Sequence, residues 1–245
     1  MQQSWLDLAS LHWAVDPDSV VPHLPRGTRP DFLNGRTYVG LLPFRMVDAS
    51  LSTGPPVPGF RAFLETNVRI YSVDATGRRG IVFCSLDTDR LAVVAGAQAV
   101  FGLPYRWSAM SYEQRGEADG TVHEYRSRVR RPMTAADGRP SSRLVVRDLG
   151  PLRENDGVDR EVAQFLSARW GVHVHRLGRT WYVPAEHPPW PLHRAELVAI
   201  EDELVGAAGW PELSLRAPDL VLYSPAVRAR LGRPVLATTP RAAST

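Results

Sequence analysis

Phe63-Leu64-Glu65-Thr66-Asn67-Val68-Arg69-Ile70-Tyr71 alternates strictly, the pattern of a β-strand whose successive side chains leave on opposite faces. Leu64, Thr66, Val68 and Ile70 fall on one face, all apolar or β-branched. Phe63, Glu65, Asn67, Arg69 and Tyr71 fall on the other. A face carrying a carboxylate, an amide, a guanidinium and a phenol either meets water or lines a polar pocket, and the period fits both. Glu65 and Arg69 stand about 13 Å apart along such a strand. They are too far apart to pair directly but are placed to hold opposite ends of a small ligand.

Working outward, the strand ends at Asp74-Ala75-Thr76-Gly77 and Gly80–Asp87 reads as the next, so residues 62–73 and 80–87 form a hairpin. Asp87 or Thr88 can cap a helix from about Asp89 to Phe101. That helix is apolar nearly all round, which predicts burial, and Gly102 ends it. Upstream, Thr37–Met46 reads as a strand in which Pro43 marks an edge or a bulge, and Ser52–Gly59 as a loop. Trp5, Leu6, Leu8, Leu11 and Trp13 come close to helical spacing. Asp16 and Pro17 suit the N-cap and first position of a short helix to about Leu24. Downstream, residues 104–110, 121–130, 142–148, 172–177, 180–183 and 220–224 read as extended. A helix from about Asp159 to Trp170 turns Val162, Phe165, Leu166 and Trp170 toward the core. Ala195–Val205 fits a helix or a long strand equally. Six to nine strands with two or three helices predict one α+β, β-rich domain over residues 1–237, a curled antiparallel sheet or β-barrel with a few packed helices. Residues 238–245 read as a disordered tail.

Composition excludes several chemistries. The chain has 245 residues, 44% hydrophobic and 22% charged, with a net charge of +3, and all 29 of its basic residues are arginine. Without lysine, no side chain can form a Schiff base with a carbonyl substrate. Cys84 is the single cysteine, so no internal disulfide or cysteine-rich zinc site is expected. Within Ile81-Val82-Phe83-Cys84 it reads as a buried, inert thiol. No apolar run reaches the roughly 18 residues of a membrane span, and no signal peptide is visible at Met1–Asp7, so a cytoplasmic location is expected. His173 and His175 point the same way on a strand but lack further ligands, and no metal or cofactor is expected. Glu124, Arg126, Arg128 and Arg130 share a strand face. With a glutamate among them and no interleaved aromatics, the row reads as a solvated surface rather than a nucleic-acid site.

One cluster stays open to chemistry: Glu65, Asn67, Arg69, Ser85, Asp87, Tyr105, Arg106 and Met110. An enclosed carboxylate can have its pKa raised and move protons, and an arginine can grip a substrate carboxylate.

A series of short motifs in fixed order joins these residues. They are His12-Trp13, Leu24-Pro25-Arg26-Gly27, Tyr38-Val39-Gly40-Leu41-Leu42-Pro43-Phe44, Glu65–Tyr71, Phe83-Cys84-Ser85-Leu86-Asp87, Leu103-Pro104-Tyr105-Arg106 and His187-Pro188-Pro189-Trp190-Pro191-Leu192. The chain resembles the YqjF-like family (DUF2071) of the acetoacetate decarboxylase-like superfamily from about Trp5 to Tyr223. The resemblance implies a curled antiparallel barrel around a small-molecule cavity. In acetoacetate decarboxylases a turn delivers the Schiff-base lysine beside a second lysine. Laid on this chain, Tyr105 and Arg106 fill those two positions, which removes the imine mechanism.

What the resemblance leaves is a pocket in which Glu65, Tyr105 and Arg106 would be catalytic, with Arg69, Asn67, Ser85, Met110 and His12 binding substrate. Three readings follow: an acid–base enzyme on a carbonyl or carboxylate compound, a ligand-binding protein that kept the pocket, or a structural protein whose polar strand face is merely solvated. The expected partner is a small molecule, with no nucleic acid or membrane, and a homo-oligomer left open.

Overall fold

The computed structural model describes residues 1–50, 62–131 and 138–237. The loop expected at Ser52–Gly59 and the tail expected at 238–245 lie outside them. The described strands are β1 (Gln2–Val15), β2 (Thr28–Pro30), β3 (Thr37–Ser50), β4 (Ala62–Asp74), β5 (Arg79–Thr88), β6 (Tyr105–Glu117), β7 (Gly120–Arg131), β8 (Ser141–Pro151), β9 (Gly171–Arg176), β10 (Arg179–Glu186), β11 (His193–Asp202), β12 (Leu220–Leu231) and β13 (Val235–Leu236). The helices are α1 (Pro17–Val20), α2 (Leu91–Phe101), α3 (Arg160–Ser167) and α4 (Leu204–Ala207). Among the described residues no helix is long and apolar enough to cross a membrane.

All thirteen strands belong to one sheet, ordered β13-β10-β9-β5-β6-β7-β8-β11-β12-β1-β3-β4-β2, with β4–β5 and β10–β12 pairings in addition. Those two extra pairings close the sheet on itself twice. One circuit runs β5-β6-β7-β8-β11-β12-β1-β3-β4 and back to β5. The other runs β5-β9-β10-β12-β1-β3-β4. The fold is thus β-rich α+β as expected, but the sheet is not one clean barrel: β12, β1, β3, β4 and β5 form a wall shared by two enclosures.

A shared wall is buried on both faces. On one side Val68 and Ile70 of β4 meet Leu41 and Val39 of β3, and behind them Leu11 and Trp13 of β1, all fully buried. On the other, Leu42, Phe44, Leu86, Val93, Val94, Tyr105 and Trp190 form a second core.

Several expectations change. Residues 1–13 are a strand, not a helix. Asp7 adopts φ 50, and the register against β3 slips by one residue between Leu6 and Leu11. Such a bulge inverts the alternation, so that Trp5 and Leu8 pack into one core while Ala9, Leu11 and Trp13 pack into the other. The resulting spacing imitates a helix. Pro43 lies in an interior strand rather than on an edge, within the bulged window where pairing with β1 lapses between Leu41 and Arg45.

Helix α2 is not buried all round: Val93 and Val94 are, while Leu91 is 55% exposed. Its alanines and glycine make a mildly apolar outer face that water tolerates. Trp170 lies beyond the end of α3, exposed and stacked on His187 at 4.6 Å, because α3 stops at Ser167. Residues 193–202 are a strand paired with β8. Arg126, Arg128 and Arg130 of β7 are solvent-exposed as expected, while Glu124 is buried beneath Arg126 and Arg143.

Candidate functional site

Alternation along β4 puts Glu65, Asn67 and Arg69 on the face that also carries Phe44, Leu42 and Gly40 of β3, their register partners. None of the three faces water: Glu65 is 3%, Asn67 4% and Arg69 5% exposed. Leu86 of β5 stands opposite both Asn67 and Tyr105, so the parallel start of β6 brings Tyr105 onto the same face. Its hydroxyl donates to Glu65 Oε2 at 2.8 Å.

Burial pushes the Glu65 carboxyl up from 4.5 to about 7, against the hydrogen bonds from Tyr105 and Asn67 that favour its ionised form. Burial and then the neighbouring Glu65 charge push the Tyr105 phenol well above its ordinary range. Near neutrality the pair is therefore a half-ionised carboxyl held by a phenol that keeps its proton.

The other end of the site is cationic. Arg69 donates from Nε and Nη2 to Tyr71 Oη at 3.3 and 3.1 Å, and from Nη2 to the Leu166 carbonyl at 3.1 Å. Its guanidinium lies 5.5 Å from the Trp190 ring. Tyr71 Oη in turn lies 2.7 Å from His12 Nε2. Burial, then the charges of Arg69 and Arg169, hold the His12 pKa well below 6.5. The ring is neutral, with Nε2 accepting from Tyr71 and Nδ1–H donating to Ser10 Oγ, 3.3 Å away.

Gly40 makes room for that imidazole. A Cβ there would lie 2.7 Å from His12 Nε2 and 2.9 Å from its Cδ2. Gly40→Ala is expected to displace His12 from Tyr71 and cost about 1–3 kcal/mol, as overpacking does, measured by urea unfolding. An unchanged midpoint would show that the ring has space to move.

Three buried polar atoms on this side have no partner among the described residues: Asn67 Oδ1, Trp5 Nε1 and Trp190 Nε1. Trp190 packs on both Arg69 and Trp5. Each such group costs about 1–3 kcal/mol when buried unsatisfied, so the site carries hydrogen-bonding capacity that the chain does not use.

The structure thus brings together Glu65, Asn67, Arg69 and Tyr105, with His12 attached through Tyr71. It does not bring Arg106, Ser85 or Met110 to them. Arg106 follows Tyr105 on the same strand and so points to the opposite face, where its Nε donates to Asp87 Oδ1 at 2.7 Å; that position removes it from the catalytic set. Ser85 pairs with Val68 and shares the Asp87 face. Met110 lies five residues along β6, beside Arg126 and Arg143.

Burial pushes the Cys84 thiol up to about 12, which keeps it un-ionised. His173 is committed to Ser72 Oγ at 2.7 Å, while His175 is exposed. Tyr71 joins the site from the face that alternation gave it, whereas Trp5 and Trp190 join without having been singled out by alternation; Trp190 had a signal in its proline-rich motif.

This geometry can be compared with known proteins. The family model DUF2071, an uncharacterized conserved protein, matches residues 2–228. The uncharacterized protein YqjF of Bacillus subtilis (strain 168) is 32% identical over 196 residues, covering 80% of this chain and 76% of YqjF. Among solved structures, an acetoacetate decarboxylase-like enzyme from Sphingomonas wittichii RW1 superposes with a TM-score of 0.63 at 14% identity, covering 96% of this chain and 92% of that one. The enduracididine biosynthesis enzyme MppR, complexed with pyruvate, gives 0.62 at 15% identity, covering 98% and 91%. Identities this low speak for the fold alone, which is that of acetoacetate decarboxylase-like enzymes. The match over nearly the whole chain, with YqjF as a relative, means that this protein belongs to the DUF2071 family.

Proposed function

We propose that the protein is a small-molecule enzyme acting on an oxo acid by acid–base chemistry, without an imine. The observation that carries this reading is a buried carboxyl, Glu65, with a pKa of about 7, hydrogen-bonded to Tyr105 on the strand face that carries Arg69. A base poised near the working pH combines adequate ionisation with adequate basicity. Arg69 takes the substrate carboxylate, since Nη1 has no hydrogen bond among the described residues. Glu65 removes a proton from the carbon next to the carbonyl, and the electron pair moves to the carbonyl oxygen. Tyr105 O–H, released as Glu65 becomes protonated, donates to that oxygen. The unpartnered indole N–H groups and Asn67 Oδ1 supply further contacts to a polar ligand. The second reading, binding without turnover, draws support from the tyrosine and arginine at the positions matched to the two lysines of acetoacetate decarboxylases.

Pyruvate and acetoacetate in D₂O test the proposal. The protein is expected to catalyse loss of the α-proton NMR signal, and borohydride is expected to trap no side-chain adduct with either compound. Binding without exchange would make the protein a ligand carrier. A trapped side-chain adduct would overturn the imine-free mechanism.

A further inference from the structure

Because Glu65 and Arg69 are enclosed, a ligand needs a way in, and the sheet itself opens one. On one side β5 pairs with β4 along nearly its whole length. On the other it meets β9 only at Ile81 and β6 only at Leu86, Asp87 and Thr88. Residues 82–85 therefore have no strand neighbour on that side. This is the fork where the two closed circuits part, and a cavity of about 430 Å³ sits there, lined among others by Leu24, Arg26, Phe83, Leu103, Pro104 and His175.

Two of these residues also belong to the walls of the candidate site. Phe83 is the register partner of Arg69 and packs against both the Tyr105–Trp190 core and the Tyr71–Phe165 core. Leu103 packs against the former and precedes Tyr105 by two residues. Both are only partly buried, unlike the side chains behind them. The rim carries the Arg26 guanidinium beside His175 and a His23 ring that burial keeps neutral, and among the described residues no aspartate or glutamate lines the cavity. A rim of that sign favours approach of an anion.

We infer that the cavity at the fork is the entrance through which a small carboxylate reaches Glu65, and that Phe83 is the side chain that decides what passes. The direction of the electrostatic preference rests on the oxo-acid reading. The route itself does not, and the experiment addresses the route without using any substrate.

A water-soluble carbodiimide at pH 6 modifies accessible carboxyls, and the rate at Glu65 can be read by peptide mass spectrometry against surface carboxyls of the same sample. In a Cys84→Ser background, His175→Cys carrying a bulky maleimide adduct at the rim is expected to slow modification of Glu65 about tenfold and leave surface carboxyls unchanged. Phe83→Leu, which trims the partition, is expected to speed it several-fold. Near-ultraviolet circular dichroism checks that both variants keep native packing, and Leu103→Ala replaces Phe83→Leu if that variant does not. Equal Glu65 rates in all the proteins, or no reaction at Glu65 even in the parent, would overturn the entrance. Failure of pyruvate exchange with these rate differences intact would overturn the oxo-acid reading alone.

Discussion

Glu65→Gln is expected to make the protein more stable and, on a turned-over oxo acid, about 10²–10⁴-fold slower, the usual worth of a positioned general base. The stability effect follows from the same burial that tunes the base. A carboxyl at 4.5 when unfolded and about 7 when folded binds its proton more tightly in the native state. Between those pH values the folded protein holds a proton that the unfolded chain has released, so stability falls as pH rises. Above pH 7 both states are ionised and the full penalty, about 3 kcal/mol, is in place. Glutamine has the shape of the protonated acid without its titration. Urea unfolding of Glu65→Gln at pH 8 should therefore show a gain approaching that size, shrinking to nothing near pH 4. A variant less stable than the parent at pH 8 would mean that Glu65 is ionised at no cost, and that its proposed tuning is absent. Gain of stability with loss of turnover is the trade expected of a functional group rather than a structural one.

Arg106→Ala is expected to be the more damaging substitution for the fold. Arg106 is 7% exposed and Asp87 fully buried; the carboxylate also accepts from Ser127 Oγ at 3.0 Å. Burial raises the Asp87 pKa even with the Arg106 charge and these hydrogen bonds opposing it. Removing the guanidinium strands a charge in the core, which costs about 3–5 kcal/mol. The loss should be greatest at pH 8 and diminish in acid, as protonation of Asp87 removes the unpaired charge. Asp87→Asn in the same chain should recover part of it. Unfolding midpoints of the two single variants and the double variant check this, and strict additivity would show that the two residues do not act as a pair.

The contrast between these residues shows where sequence reading worked. Alternation found β4 and assigned Glu65, Asn67 and Arg69 to one face correctly. Asp16 was legible as a cap and accepts from Asp18 N at 2.9 Å. The same rule applied to Tyr105 and Arg106, in the extended run 104–110, would have sent them to opposite faces, but the match to two adjacent lysines put both in one pocket. In β1 the rule failed for a different reason: a single extra residue at Asp7 reverses the phase, and no local pattern announces a bulge. The exposed outer face of α2 was missed because apolarity was summed over small residues that bury little area.

By itself, the sequence determined the local conformations and the available chemistry: a hairpin from two alternating runs, a cap where aspartate precedes a helix, and no imine on any side chain because lysine is absent. Only the tertiary structure decided that the polar face of β4 is enclosed. Period-two alternation is a property of the backbone and is identical whether that face meets water or a second layer. What covers it is set by the Leu166 end of α3 and by Trp190, about a hundred positions away, and the same enclosure lifts Glu65 from an ordinary carboxyl to a base poised near neutrality.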